Sequence, residues 1–101
     1  MNLQEKLQRL ATMIQEQQMK SLKEKKLDCE VNLKNCITKI VPGNKYIKID
    51  IGYSGRYMID KKTEKIYGIK GYGVIHKGYQ FGNLDTIDQY NWGEYYAVKI
   101  S

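Results

Sequence analysis

The sequence predicts an α+β fold in which one or two N-terminal helices pack on a curved antiparallel sheet of about five strands. All nine glycines and all eleven aromatic residues lie after Pro42. Apolar residues recur at helical spacing before that point and at a period of two after it. We therefore expect one domain over 1–101, with a helical part over 1–41 and a Gly/Tyr-rich sheet over 45–101. A chain of 101 residues is long enough for a single modest core.

The first helix is predicted over residues 3–25. Asn2 precedes it and Glu5 follows three residues later, a spacing typical of a capped helix start. Apolar side chains then form one stripe at alternating steps of four and three residues, made of Leu3, Leu7, Leu10 and Ile14. This stripe gives the helix a face to bury.

The partner of that stripe stays open at this point. The next positions in register are Gln17 and Ser21, so the apolar seam is shorter than a coiled coil requires. We favour packing of the helix on its own sheet, which makes the chain a monomer, over a helix-mediated homodimer.

Residues 27–41 show two patterns. Alternation from Leu27 to Leu33 is typical of a strand, whereas the steps from Leu33 to Ile40 are helical. We interpret the segment as a second short helix over 30–40 that ends before Pro42, because proline cannot continue a hydrogen-bonded element.

The second half predicts strands. Residues 46–51 alternate, with Ile47, Ile49 and Ile51 on one face. Segments 56–60 and 65–69 flank a polar loop at 61–64 and indicate a hairpin. Further strands are expected at 72–76 and 95–100. The short spacing of the glycines indicates bulges and strong curvature, or a surface on which another chain approaches the backbone closely.

The net charge of +6 is unevenly distributed. Residues 1–30 hold six Lys/Arg and five Asp/Glu, and residues 31–101 hold eleven and six, which gives +1 and +5. The positive excess therefore accompanies the aromatics. It favours a polyanionic partner such as nucleic acid. Keeping a small protein in solution is the simpler alternative.

A short segment carries one resemblance. Residues 70–76 read Lys-Gly-Tyr-Gly-Val-Ile-His and resemble the RNP1 segment of cold-shock and RNA-recognition domains, with Val74 where that segment has its second aromatic. The resemblance implies that Tyr72 stacks on a base, Lys70 contacts a phosphate and Gly73 leaves room for the base.

A longer stretch carries a second resemblance. From Ser54-Gly55-Arg56-Tyr57 through Gly82-Asn83 to Trp92-Gly93, the chain is similar to small genes of phages and mobile elements. This setting implies a protein that acts stoichiometrically in the host cytoplasm, such as an inhibitor of a host defence complex.

Catalytic signatures do not emerge from the sequence. His76 is the single histidine and has no evident nucleophile beside it. Asp85 and Asp88 suit a turn or a helix cap better than an acid/base pair. Trp92 is expected in the core or at an interface. We therefore predict a protein that is not an enzyme, and a small enzyme is the least favoured alternative.

The cysteines and hydropathy bound the remaining chemistry. Cys29 and Cys36, with His76, are too few soft ligands for a zinc site, so both cysteines are expected to be buried, reduced thiols. No cofactor is predicted. No run of apolar residues reaches membrane-spanning length, which favours a cytoplasmic protein with no membrane partner.

The functional prediction is a noncatalytic protein that binds single-stranded nucleic acid, or a nucleoprotein, through a basic tyrosine-rich sheet. Aromatic rings stack on bases and cations contact phosphates, and the predicted site residues are Arg56, Lys70, Tyr72, His76, Lys77 and Tyr79. The alternative is a phage-encoded inhibitor that docks on a host defence enzyme, itself a nucleic-acid-binding protein, as anti-CRISPR proteins do. In either reading some of the nine tyrosines must be in the core.

Overall fold

The first helix, α1, runs over Leu3–Glu24, as predicted. The structure is a computed structural model that describes residues 2–71, 74–94 and 96–100. Oδ1 of Asn2 accepts a hydrogen bond from the backbone N–H of Glu5 at 2.8 Å, and Nδ2 of Asn2 donates to Oε1 of Glu5 at 3.2 Å. The two side chains thus satisfy a backbone donor that the helix leaves unpaired.

The apolar stripe of α1 packs on the sheet of its own chain, as favoured above. Leu7, Leu10 and Ile14 are buried in the main hydrophobic cluster. Where the stripe ends, glutamines replace it: Oε1 of Gln17 accepts from the backbone N–H of Trp92, and Nε2 of Gln18 donates to the backbone oxygen of Trp92 at 2.7 Å. The polar positions that interrupt the seam therefore bind the loop near the C-terminus.

The second helix is shorter than predicted. Helix α2 covers Glu30–Lys34, and residues predicted as its continuation form strand β1 over Thr38–Val41. The helical steps from Leu33 to Ile40 were misleading because Ile40 pairs with Ile49 of the next strand. The backbone N–H of Thr38 on the outer edge of β1 donates to Oε1 of Gln15 at 3.0 Å. Tertiary pairing has overridden the local pattern.

The main sheet has five antiparallel strands in the order of the chain, β1-β2-β3-β4-β5. After β1, they are β2 (Tyr46–Ile51), β3 (Ser54–Asp60), β4 (Lys65–Gly71) and β5 (Val74–Asn83). The predicted strands at 46–51, 56–60 and 65–69 are confirmed. The predicted strand at 72–76 begins at Val74 among the described residues and continues much further, to Asn83.

The turn between β2 and β3 requires glycine. Gly52 has φ of +63°, and Tyr53 completes the two-residue loop. A Cβ atom at Gly52 would lie 2.5 Å from the backbone oxygen of Asn35, and the Gly52 N–H donates to the backbone oxygen of Ile37 at 2.8 Å. Conformation and close approach both exclude a side chain at this position.

The strand predicted at 95–100 was expected to pair with the main sheet, and this part of the prediction was wrong. Val98–Lys99 forms a strand, β7, that pairs with β6 (Tyr90–Asn91) in a separate two-stranded sheet. The main sheet still has five strands because β1 supplies the fifth. A 3₁₀ helix over Ile87–Gln89 precedes β6.

Aromatic rings fill the centre of the core between α1 and the sheet. The buried ring of Tyr57 lies 5.3 Å from those of Phe81 and Trp92, in edge-to-face geometry. Nε1 of Trp92 donates to the backbone oxygen of Ile87 at 3.0 Å, and the Tyr57 hydroxyl accepts from the backbone N–H of Ala97 at 3.0 Å. Trp92 is therefore a core residue, as one of its two readings predicted.

The carboxylates of Asp85 and Asp88 bind α1. Lys6 contacts Glu64 at 2.8 Å and Asp85 at 3.1 Å, and Arg9 makes two hydrogen bonds of 2.8 Å to Asp88. Asp85 lies in a turn and Asp88 in the 3₁₀ helix, which is the structural role expected for them. These ion pairs hold the start of α1 on the loops of the sheet.

The two cysteines differ from each other. Cys36 is buried as predicted, whereas Cys29, predicted to be buried, is exposed because it precedes the solvent-facing helix α2. Both are free thiols. None of the helices in the described ranges has the length and apolarity that a membrane span requires.

Candidate nucleic-acid interface

A large bulge in the edge strand β5 brings three of the predicted site residues together. Gly68 of β4 pairs with His76, and its neighbour Tyr67 pairs with Gln80. One step on β4 therefore corresponds to four steps on β5, so residues 77–79 are extra and leave the ladder. We call residues 76–80 the edge bulge. It contains the predicted residues His76, Lys77 and Tyr79.

Local hydrogen bonds stabilise the edge bulge. Nδ1 of His76 accepts from the backbone N–H of Gly78 at 3.2 Å, and Nε2 of Gln80 donates to the backbone oxygen of Lys77 at 3.3 Å. A Cβ atom at Gly78 would lie 2.9 Å from Cε1 of His76. Glycine therefore lets the imidazole lie against the backbone, and the bond accepted at Nδ1 leaves Nε2 as the nitrogen that can donate.

The rings of the edge bulge continue a column of rings that starts in the core. Centroid separations are 5.8 Å between Phe81 and Tyr96, 5.2 Å between Tyr96 and Tyr79, and 4.5 Å between Tyr79 and His76. Successive planes are inclined by 22°, 32° and 36°. Phe81 is buried, whereas Tyr79 is 48% exposed. The column thus presents firmly supported aromatic surface to solvent.

Gly68 leaves room for this column because it has no side chain. A Cβ atom there would lie 3.1 Å from Cβ of Tyr79 and 3.5 Å from Cε1 of Tyr96. The hydroxyl of Tyr96 also donates to the backbone oxygen of Ile69 at 3.4 Å. The column therefore packs directly on β4, and this contact positions its exposed rings.

The other predicted site residues lie elsewhere or outside the described part. Arg56 is partly buried on β3, beside a register shift against β2, and β4 separates it from the edge bulge. Lys70 belongs to β4, but its side chain is outside the description, as is Tyr72 altogether. Val74, at the position of the missing second RNP1 aromatic, is exposed at the start of β5.

The face of the sheet away from α1 carries a second set of polar and aromatic groups. Direct pairing places Lys48, Met58, Tyr67 and Gln80 in one row across β2, β3, β4 and β5. Paired residues of an antiparallel sheet project to the same face, so this row lies opposite the buried row of Ile49, Tyr57 and Gly68. We call it the outer face. Tyr46, Tyr67 and Ile69 are partly exposed there, and Met58 is buried among its neighbours.

Lysines accompany the tyrosines of both surfaces. Nζ of Lys45 lies 5.4 Å from the ring centroid of Tyr46, a cation–π contact. Lys65 is exposed two residues before Tyr67 on the same strand, and exposed Lys77 lies between His76 and Tyr79. Ring and cation therefore recur together on neighbouring parts of the sheet.

The thiol of Cys36 is buried and has a shifted pKa. Burial raises the pKa of the Cys36 thiol, while the charge of Arg56 acts in the opposite direction, so the neutral thiol is favoured at neutral pH. Among the residues that the structure describes, His, Cys, Asp and Glu side chains form no group of three that could hold a metal ion.

A third exposed feature lies at the end of the sheet near α2. Tyr53 is 99% exposed at the tip of the β2–β3 turn, and Ile37 and Val31 are exposed nearby. Backbone contacts of Gly52 bring them together. The Gly52 N–H donates to the oxygen of Ile37, and Gly52 lies against the backbone of Asn35. The N–H of Asn35 in turn donates to the oxygen of Val31 at 3.2 Å. We call Val31, Ile37 and Tyr53 the apolar tip.

Sequence reasoning missed the outer face and the ring below Tyr79. Alternation had placed Tyr46, Lys48 and Asp50 on one face of β2, which was the available signal for the outer face. The contact of Tyr96 with Tyr79 joins the C-terminal segment to β5, and no local pattern in the sequence indicates it. Searches against protein-family profiles, curated proteins and solved structures find nothing that matches this chain.

Proposed function

We propose that this protein is a noncatalytic binding protein for single-stranded nucleic acid, free or as the unpaired strand of a nucleoprotein. The observation that carries the proposal is the edge bulge: an exposed tyrosine and an imidazole, supported from the core by further rings, flank an exposed lysine. Stacked bases need flat rings and phosphates need cations, and the edge bulge offers both within four residues.

The support of the rings matters for affinity. A flexible side chain loses conformational entropy when it stacks on a base, whereas Tyr79 is already held between His76 and Tyr96. Because Nδ1 of His76 accepts from Gly78, its Nε2–H is a further donor for a phosphate or a base edge. In this proposal a base packs against the exposed part of the Tyr79 ring beside the imidazole, and Lys77 and His76 contact phosphates.

Three further residues extend the proposed site. Lys70 and Tyr72 precede β5 directly and belong to the RNP1-like segment, so we assign them a phosphate contact and a stacking contact. Arg56 lies on β3, two strands from β5. It contributes as a more distant cation, through the general positive field of residues 31–101.

The test is a titration of fluorescently labelled oligothymidylate and oligouridylate at low and moderate salt. We expect binding that weakens as salt rises, with a slope of about 0.7 per phosphate contacted. Tyr79→Leu should weaken binding by about 1 to 3 kcal/mol, and Lys77→Gln should reduce the salt slope by about 0.7. Tyr53→Leu is the matched control, because it removes an exposed tyrosine of the β2–β3 turn, which β4 separates from β5.

Duplex of the same sequence separates stacking from simple charge attraction. Its bases are paired and stacked, so it should compete poorly with the single strand. If the protein binds neither oligothymidylate nor oligouridylate at low salt, the proposed function is contradicted. Equal competition by duplex would reduce the interaction to phosphate attraction alone.

The second candidate is the phage-type stoichiometric inhibitor of a host defence enzyme, and the apolar tip favours it. A fully exposed tyrosine with two exposed aliphatic neighbours is the composition of a protein-binding hot spot. The test is inhibition of a purified RNA-guided nuclease at increasing ratios of this protein. We expect a linear loss of activity that ends at a fixed ratio, relieved by Tyr53→Ala and retained in Tyr79→Leu. Inhibition unaffected by Tyr53→Ala would exclude the apolar tip as the docking surface.

A further inference from the structure

We infer that a strand bound at the edge bulge continues over Gln80 onto the outer face, where Tyr67 stacks on a second base. This inference rests on the proposed function and names its ligand more closely: an unpaired strand of at least about four nucleotides, bound on both sides of one sheet edge. The outer face has no assigned role in the function proposed above.

Gln80 connects the two surfaces. It is the last residue of the edge bulge, where its amide bonds the backbone of Lys77, and it pairs directly with Tyr67 of β4. Directly paired residues have Cβ atoms about 5 Å apart, so the side chain of Tyr67 is adjacent to that of Gln80. Because β5 is the edge strand, a chain that leaves Tyr79 reaches Tyr67 by crossing one strand.

The surroundings of Tyr67 suit a nucleotide. Its ring is partly exposed, with Met58 beside it on β3 and the exposed Lys65 two residues earlier on its own strand. For a base stacked on the ring, the adjacent phosphate would be within reach of Lys65. The exposed amide of Gln80 supplies donors and an acceptor for the base edge.

Charge favours a nucleic-acid occupant over a protein. Basic residues of the outer face are Lys39, Lys48 and Lys65, and the acidic ones are Asp50 and Asp60. Oδ1 of Asp60 accepts from the backbone N–H groups of Lys62 and Thr63 and serves the turn. The apolar centre of the face, Met58, is only 3% exposed, so the accessible apolar groups of this face are the partly exposed Tyr46, Tyr67 and Ile69.

The width of the sheet gives the length of the strand. From β5 to β2 there are three strand spacings of about 4.8 Å, or about 14 Å. A strand stacked at about 3.4 Å per nucleotide covers that width with about four nucleotides. Tyr46 with its Lys45 cation lies on β2, at the far end of this path.

The experiment compares oligothymidylates of about three and about twelve nucleotides, because the shorter one occupies only one of the two surfaces. The variants are Tyr67→Leu and Tyr79→Leu, with Tyr53→Leu as control. We expect Tyr67→Leu to weaken binding of the longer strand about 5- to 150-fold and to leave the shorter strand's affinity unchanged. Tyr79→Leu should weaken the binding of both.

An independent readout covers the case in which Tyr67→Leu perturbs the sheet. Amide chemical shifts of the intact protein should change at residues 76–80 with both strands, and at Tyr67 and Lys48 with the longer strand alone. This inference is overturned, and the proposed function stays intact, if Tyr79→Leu loses affinity for the longer strand while Tyr67→Leu keeps it in full. The same holds if chemical-shift changes are confined to residues 76–80 with both strands. A wild-type protein that binds neither strand would overturn both.

Discussion

The helix-side face and the outer face of the sheet come from alternate residues of the same strands, and they are completed differently. On the helix-side face, Ile49 and Tyr57 are buried under α1 and the segment from Leu84 to Ala97. On the outer face, Tyr46, Tyr67 and Ile69 stay partly exposed, and Lys48 and Lys65 lie on the same face. One alternation of the sequence has therefore produced a core and a candidate binding surface.

The difference shows that a tyrosine's role depends on what reaches its face from elsewhere in the chain. The Tyr57 ring lies 6.3 Å from Tyr96 and its hydroxyl bonds the backbone of Ala97, both far away in sequence. The described cross-strand neighbours of Tyr67 lie on the two strands next to its own. The same residue type thus acts as core on one face and remains accessible on the other.

Trp92→Ala tests whether the helix-side face is the part that holds the fold together. Trp92 is fully buried, contacts Tyr57 and Phe81, and is bonded by two glutamines of α1. Its loss leaves a large cavity, and we expect the free energy of unfolding to fall by about 3 to 5 kcal/mol in urea denaturation. Tyr67→Ala on the outer face is the counterpart and should cost about 1 kcal/mol or less. Equal losses would contradict the division into a closed and an accessible face.

Tyr57→Phe isolates one polar contact inside the closed face. The substitution keeps the ring and removes the hydroxyl that accepts from the N–H of Ala97. That donor is buried, so its loss of a partner should lower the free energy of unfolding by about 1 to 3 kcal/mol. Amide hydrogen exchange at Ala97 should accelerate in the variant. Unchanged exchange there would mean that the hydroxyl does not hold the C-terminal segment.

Local signals carried most of the predicted fold. The cap and stripe of α1, the alternation of β2 and the polar loop after Asp60 are each complete within a few residues, and each was predicted correctly. Strand β1 failed because its hydrogen bonds are made with β2 and with Gln15, and the segment's own periodicity also fits a helix. The partner of β7 was mispredicted for the same reason, since Tyr90–Asn91 has no strand pattern of its own.

The candidate site was predictable in part. The charge and aromatic content of β5 pointed to His76, Lys77 and Tyr79, and the structure brings His76 and Tyr79 into contact. Arg56 joined the prediction by proximity in sequence, yet β4 lies between it and β5. The extra residues of the edge bulge decide which side chains of β5 meet. These extra residues follow from the strand register. Register depends on pairing with β4, so composition does not determine it.

Gly78→Ala tests the edge bulge with little effect on the fold. The new Cβ would lie 2.9 Å from Cε1 of His76, so the imidazole must leave its place and lose both the Gly78 hydrogen bond and the contact with Tyr79. We expect affinity for an unpaired oligonucleotide to fall about fivefold, equivalent to about 1 kcal/mol of stacking. Tyr53→Leu is again the control, because Tyr53 is exposed in the β2–β3 turn, outside the edge bulge. Equal affinity in the two variants would show that the imidazole's position is irrelevant to binding.

Lys6 tests the weakest contact of the closed face, the ion pairs that hold α1 on the loops. Hydrogen bonds to Glu64, and then to Asp85, raise the pKa of Lys6 above its ordinary value of 10.5. A group with a raised folded-state pKa stabilises the fold fully below its unfolded pKa, and this contribution is lost as the pH rises through the folded value. Lys6→Met should therefore be slightly less stable than wild type at neutral pH, by the small amount typical of exposed pairs. The difference in urea midpoint should shrink above pH 10.5. A difference that stays constant through that range would show that Lys6 acts through the packing of its aliphatic chain, with the ion pairs contributing nothing measurable.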